Sequence, residues 1–129
     1  MYRLVVEGTF SAAHAIVVHG VREPIHGHDW RVRVGVTGQE LDGDDLLVDF
    51  HALQRALEGV IGPWRTTNLN DAPQFQTVNP TAEAVARTIG RAMAAWAAGS
   101  RHAGAPRVRV EFVEVTEAPG CAATYLPEP

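Results

Sequence analysis

The chain is poor in cysteine, in basic clusters and in long apolar runs, and each shortage closes off a class of function. Cys121 is the single cysteine among 129 residues. No intramolecular disulfide can form, and a Cys-rich zinc module is excluded. One free thiol fits a reducing compartment. No basic run or Lys/Arg-plus-aromatic cluster of the kind that grips nucleic acid occurs. Arg107 and Arg109 on one strand face come nearest, and the formal net charge is −4. No apolar run is long enough to span a bilayer. The start, Met1-Tyr2-Arg3-Leu4, lacks the apolar core and cleavage-site composition of a signal peptide. The expectation is a cytoplasmic protein with neither membrane nor nucleic-acid partners. Repeats and low-complexity segments are also missing. The length suits one domain, residues 1–129, with its own core.

Residues 2–10 read as a strand from their β-branched and aromatic content, and residues 11–25 as irregular. Residues 28–38 alternate cleanly, with Trp30, Val32, Val34 and Val36 on one face and Arg31, Arg33 and Thr37 on the other. After the Gly/Asp-rich turn at 41–45, Asp49 suits the cap of a helix running to about residue 61, with Phe50, Leu53, Leu57 and Ile61 as its apolar stripe. Gly62-Pro63 stops it. Residues 64–79 form a long loop, a place where function often sits. A second helix starts with Asn79 as cap and Pro80 in first position. It runs to about Ala98, buries Val85, Ile89, Met93 and Trp96, and ends at Gly99. Residues 107–117 alternate again, with a phase slip at Phe112-Val113 that predicts a bulge. Cys121–Leu126 closes the chain as a short strand, with Cys121 read as a small buried residue. The order ββααββ predicts an α+β fold, a four-stranded antiparallel sheet with both helices on one face. Its two edges need covering, so oligomerisation is expected.

His26 and His28 lie at i and i+2 of a strand and point to one face. They fall in phase with the apolar row that begins at Trp30, so they point inward. His14 arrives from the end of the preceding segment. A lone histidine is more often a plain surface or core residue. Three on segments that read as paired strands favour a transition-metal site, zinc first. Three histidines leave one position of a tetrahedral zinc open, as in catalytic sites.

Six stretches in series resemble the 6-pyruvoyltetrahydropterin synthase and 6-carboxytetrahydropterin synthase family. They are Phe10-Ser11-Ala12-Ala13-His14, His26-Gly27-His28, Val48-Asp49-Phe50, Asn70-Asp71, Asn79-Pro80-Thr81-Ala82-Glu83 and the run from Glu117 to Tyr125. The resemblance implies the tunnelling fold, with subunits forming trimeric barrels stacked into a hexamer and active sites between subunits. It implies zinc on His14, His26 and His28. It implies that Glu117 holds the guanidine-like edge of a pterin, a bidentate charge-assisted pairing, and that Thr81 lies in a region that helps bind the pterin from a neighbouring subunit. Taken alone, Glu117 would be a solvated strand end and Thr81 a helix-capping hydroxyl.

The chain departs from the family where protons are moved. Arg22 stands at the position of the usual catalytic cysteine, four residues before His26. Trp64-Arg65-Thr66-Thr67-Asn68 stands where an Asp-His pair is usual. Arginine cannot act as a base, and threonine is a poor one without an activator. Cys121 lies in a different segment. Glu23, ahead of Pro24-Ile25-His26-Gly27-His28, resembles variants in which a glutamate replaces the cysteine and the side chain of dihydroneopterin triphosphate is cleaved. It becomes the candidate catalytic residue, a general base if burial raises its pKa. His19 and His51 fall on no motif. The resulting expectation is a zinc-dependent lyase acting on 7,8-dihydroneopterin triphosphate or a related pterin. The alternatives are diverged chemistry on another substrate, in which Arg22 or Arg65 binds an acidic group, and a pterin-binding homologue without turnover.

Overall fold

The computed structural model describes residues 1–99 and 102–129. Two long strands, β1 (Tyr2–His14) and β4 (His26–Gly38), pair antiparallel from Tyr2 opposite Gly38 to His14 opposite His26. β1 runs four residues beyond the expected end at Phe10. Ser11–His14 are weak strand formers, but Asp29–His26 offers them a full ladder, and pairing overrides propensity. The register fixes which side chains are inside. Val6, Phe10, Ala12 and His14 on β1, and Trp30, Val32, Val34 and Val36 on β4, are buried. Burying each of these valines contributes about 1.5–3 kcal/mol.

Between these strands β2 (Val17–Val18) and β3 (Val21–Arg22) form a small hairpin. Its turn residues, His19 and Gly20, have φ of 50° and 80°, the left-handed pair that two-residue hairpin turns require. The α1 helix (Phe50–Ile61) is capped by Asp49, whose carboxylate accepts from His51 N at 3.0 Å. It buries Leu53, Leu57 and Ile61, whereas Phe50, expected in the stripe, is 53% exposed in the first turn. The loop that follows contains short 3₁₀ turns and a two-residue strand, β5 (Thr67–Asn68).

The α2 helix (Ala82–Ala98) begins two residues later than expected. Thr81, not Asn79, is its cap, and its hydroxyl accepts from Ala84 N at 3.1 Å. The side chain of Asn79 is committed elsewhere, to Val17. Val85, Ile89 and Met93 are buried as predicted, and Trp96 packs against the core only partly buried. Among the described residues no helix is long and apolar enough to cross a membrane.

The chain closes with β6 (Arg109–Ala118) and β7 (Cys121–Tyr125). The sheet has five strands in the order β5-β1-β4-β6-β7, not four. The extra strand, β5, runs parallel to the end of β1, with Ala12 opposite Thr67 and Ala13 opposite Asn68. Two residues are too short to produce an alternating pattern. The remaining pairs are antiparallel. Both helices cover one face, α1 against β1 and α2 against β6 and β7. The bulge falls slightly earlier than predicted. Gly35 faces Phe112 and Val36 faces Val110, which leaves Glu111 as the extra residue.

Cys121 is exposed, contrary to its reading as a buried residue. It starts the short edge strand β7, where no further strand covers it.

Next to the bulge, the ring of Phe112 lies where a Cβ on Gly35 would be. Gly35→Ala should therefore destabilise the fold by about 1–3 kcal/mol through overpacking, although alanine is otherwise the better residue inside a strand. Urea denaturation of Gly35→Ala, Phe112→Ala and the double variant should show a non-additive pair. Additive effects would mean that the ring is not the obstacle.

Candidate metal centre and adjoining cavity

The β1–β4 register brings His14 and His26 opposite each other, with His28 two residues along the same face. The three rings meet edge to face, with centroids 4.6 to 5.2 Å apart. Trp30 forms the floor, its ring 4.9 Å from His14 and 5.7 Å from His28. The indole is itself fixed, stacked on Phe10 at 5.6 Å and donating Nε1–H to Ala12 O at 3.1 Å. Glu117, near the end of β6, completes the group. One ligand atom from each of His14, His26, His28 and Glu117 lies within 4.8 Å of all the others, a set that could hold a metal ion.

The hydrogen bonds around the rings set their chemistry. His14 is fully buried, and its Nδ1 lies 2.8 Å from Pro80 O. His26 Nδ1 lies 3.0 Å from Pro24 O. Carbonyl oxygens only accept, so each Nδ1 carries the proton and each Nε2 is left bare. This carbonyl-to-imidazole arrangement is the usual outer support of a metal-bound histidine. The Nε2 atoms of His14 and His28 lie 2.7 and 3.3 Å from Glu117 Oε1. With its proton on Nδ1, His14 meets Glu117 acceptor to acceptor, and neither Nε2 has a hydrogen-bond partner among the described residues. A buried acceptor without a partner costs about 1–3 kcal/mol. Burial is the main cause holding the His28 pKa below its ordinary value, against the opposing pull of Glu117. Three converging imidazoles, two of them held with a bare Nε2, and a carboxylate suit zinc in chemistry and number, so the residues present fit the ion.

The other candidate residues lie around this centre. Glu23 follows the β2–β3 hairpin. Its Oε1 accepts from Ile16 N at 3.2 Å and lies 3.6 Å from His26 Nδ1. That nitrogen also faces Pro24 O, so Glu23 stands behind the His26 ring, away from its bare nitrogen. The Thr81 hydroxyl is engaged as the α2 cap, one residue after the carbonyl that holds His14. Arg22 is exposed in the hairpin, His19 lies in its turn, and His51 is exposed beside Asp49; none of them joins the cluster.

A cavity of about 780 Å³ adjoins the centre, with Ser11, His28, Arg31, Arg65, Thr66 and Glu117 among its walls. Arg65 is already spent. Its guanidinium makes two 2.6 Å bonds to the Glu58 carboxylate and one of 2.8 Å to Thr9 O. Arg31 makes no ion pair among the described residues. What the sequence hid was the support: the carbonyls of Pro24 and Pro80, and the two asparagines Asn70 and Asn79 that bind the backbone after His14. Carbonyls leave no mark on residue type. Asn70 reads as a residue of a long loop and Asn79 as a helix cap.

Sheet, helices and cluster define an α+β protein with a candidate transition-metal centre at one end of its sheet. The profile described as PTPS, 6-pyruvoyl tetrahydropterin synthase, matches residues 3–128, and the chain belongs to that family. The 6-carboxy-5,6,7,8-tetrahydropterin synthase of Bacillus subtilis is 38% identical over 85 residues, which cover 61% of this chain and 56% of that protein. A putative enzyme of the same name from Archaeoglobus fulgidus is 31% identical over 72 residues, 56% of this chain and 62% of that one. The chain thus matches little more than half the length of these curated relatives. The fold is similar to that of the Caenorhabditis elegans 6-pyruvoyl tetrahydropterin synthase, with a TM-score of 0.79 at 21% identity over 98% of this chain and 96% of that one. A catalytic-residue mutant of the Plasmodium vivax 6-pyruvoyltetrahydropterin synthase gives 0.72 at 19% identity over 96% of each chain. The architecture is the expected tunnelling fold.

The His28 shift has a consequence for stability. Its pKa is lower in the folded protein than in the unfolded chain. Below the ordinary value of about 6.5 the unfolded state binds the extra proton, so stability falls as the pH drops through that value toward the folded pKa. The metal-free protein should lose melting temperature as the pH falls below about 6.5, and His28→Asn should flatten this dependence. An unchanged pH slope in His28→Asn would contradict the assignment.

Proposed function

We propose that the protein is a zinc-dependent lyase of the tetrahydropterin synthase type, acting on 7,8-dihydroneopterin triphosphate or a related pterin. The observation that carries this reading is the pair of buried, partnerless nitrogens on His14 and His28 facing Glu117. His14, His26 and His28 would hold the zinc. When bound, it supplies Lewis-acid polarisation of a side-chain oxygen, which eases proton loss at the neighbouring carbon.

The remaining work falls to the chain itself. The Pro80 and Pro24 carbonyls keep the imidazoles of His14 and His26 in one tautomer. Trp30 and Phe10 keep water from the inner side of the cluster. The Oε1 of Glu117 faces the histidines, and its Oε2 makes no hydrogen bond among the described residues. That second oxygen can accept from the N–H groups of a pterin ring in the adjoining cavity. Glu23 is the candidate proton carrier; in the Plasmodium vivax relative the residue called catalytic is also a glutamate. Thr81 would contribute to the pocket of a neighbouring subunit in a trimer or hexamer. The free edges of the sheet at β5 and β7 support such assembly. With its single exposed thiol, the protein is read as a cytoplasmic enzyme of one domain.

The position of Glu23 favours a second reading, a homologue that binds a pterin without turning it over. In this arrangement its carboxylate buttresses His26 and does not face the bare nitrogens. Anaerobic incubation of the zinc-loaded protein with 7,8-dihydroneopterin triphosphate, followed by mass spectrometry, separates the two. The lyase reading expects a new pterin product, and a loss of about 10²- to 10⁴-fold in rate in Glu23→Ala with zinc content unchanged. Bound pterin without product supports the second reading. A protein that takes up no zinc sinks both.

A further inference from the structure

The three residues that follow His14 have their backbone groups bound on both sides. Asn70 Oδ1 accepts from Ala15 N at 2.8 Å, and Asn70 Nδ2 donates to Ala15 O at 2.9 Å. Asn79 repeats the pattern two residues on. Its Oδ1 accepts from Val17 N at 2.9 Å, and its Nδ2 donates to Val17 O at 2.9 Å. An asparagine amide carries one acceptor and a donor pair, so each of these side chains imitates a paired strand residue. Together they act as two rungs of a ladder. Between them, Ile16 is bound from the other side: Ile16 O accepts from Glu23 N at 3.0 Å, and Ile16 N donates to the Glu23 carboxylate at 3.2 Å. Neither asparagine caps a helix. Asn70 is itself placed by Asn68, whose side chain accepts from Asn70 N at 3.0 Å.

Both anchors reach the candidate centre. Asn79 immediately precedes Pro80, whose carbonyl fixes His14 Nδ1. Clamping Asn79 to Val17 therefore ties the segment that follows His14 to the carbonyl that orients it. The clamped segment also carries Ile16, which holds Glu23 3.6 Å from His26 Nδ1. Without the clamps, residues 15–17 would depend on the exposed β2–β3 hairpin alone.

We infer that Asn70 and Asn79 are positioning residues for the candidate metal centre: they hold the segment after His14 so that the His14 imidazole, the Pro80 carbonyl and the Glu23 carboxylate keep their places. This inference rests on the metal reading given above. It concerns residues outside the cluster of His14, His26, His28 and Glu117.

Zinc affinity is measured by competition with a chromogenic chelator, and the coordination geometry from the visible absorption of the cobalt-substituted protein. Asn70→Ala and Asn79→Ala should each weaken zinc binding by about 10-fold or more, the range typical of lost outer support, and alter the cobalt bands. Asp42→Ala serves as control. It removes the carboxylate that binds Asp44 N and Leu46 N in the turn before α1, and it supports nothing at the cluster. If the alanine variants do not fold, Asn70→Asp and Asn79→Asp are read instead. These keep the acceptor, lose the donor and should weaken zinc in the same direction. Zinc affinity within about 2-fold of wild type with unaltered cobalt bands would overturn the inference. So would an equal loss of affinity in Asp42→Ala, since general stability would then explain it. Wild-type protein that binds no zinc would overturn the metal reading itself.

Discussion

The pairing of β1 with β4 is the constraint on which both core and site depend. Side chains alternate along a strand, so a slip of one residue would turn an entire strand over. The same slip that exposed Trp30, Val32, Val34 and Val36 would carry His26 and His28 to the outer face and leave His14 without partners. The histidine cluster is therefore the last layer of the core, continued past the point where aliphatic side chains stop. Its geometry is specified by all the apolar burial along thirteen residues of each strand. A site built this way sits on rigid elements, which is what tight positioning of metal ligands requires.

That origin explains why the cluster is uncomfortable without a cation. Burial strips water from His14 completely, and the backbone carbonyls of Pro80 and Pro24 take the protons of His14 and His26 on the outer side. The bare nitrogens are then turned toward one another and toward Glu117. Protonation would relieve the contact with the carboxylate, but burial works against it at His28, and cationic imidazoles side by side would repel each other. A cation held among the four groups would satisfy them at once.

How much of this was legible in the residue string differs by element. The clustering of the three histidines was legible because parity on a strand is a sharp rule. His26 and His28 share the phase of Trp30, and the structure puts them there. The helices were legible from Leu53, Leu57 and Ile61 and from Val85, Ile89 and Met93. The fifth strand was not, since Thr67-Asn68 pairs through backbone groups alone. Nor was the true length of β1, because Ser11-Ala12-Ala13 carries no strand propensity and is held only by its partner. Asn79 was misread for a related reason. Before a proline at a helix start an asparagine looks like a cap, but its amide reaches a strand 62 residues away in sequence, and Thr81 takes the cap. Long-range hydrogen bonds from side chain to backbone leave no periodic trace. The family resemblance added what spacing could not, a reason to consider Glu117 and Glu23 together with the histidines.

The departures from the family also become concrete in the structure. Arg65 and Thr66 occupy the stretch where an Asp-His pair is usual, and both are locked. Thr66 has φ of 54°, a left-handed conformation that costs a β-branched residue on the order of 1–3 kcal/mol. It is held there by its N–H on Ser11 O at 2.7 Å and its hydroxyl on Arg65 O at 2.7 Å. Arg65 is in turn fixed by Glu58 and Thr9. Along this stretch of the cavity wall the Arg65 guanidinium is already neutralised and the Thr66 hydroxyl is already donating. Proton transfer from this wall would need the Arg65–Glu58 pair to open. Recognition of an anion by Arg65 would need the same. Arg31 also lines the cavity and makes no ion pair among the described residues. His14, His26, His28 and Glu117 bring together the ligand atoms that a metal ion would need. Glu23 binds Ile16 through both its backbone and its carboxylate, so its position is set by the segment that follows His14.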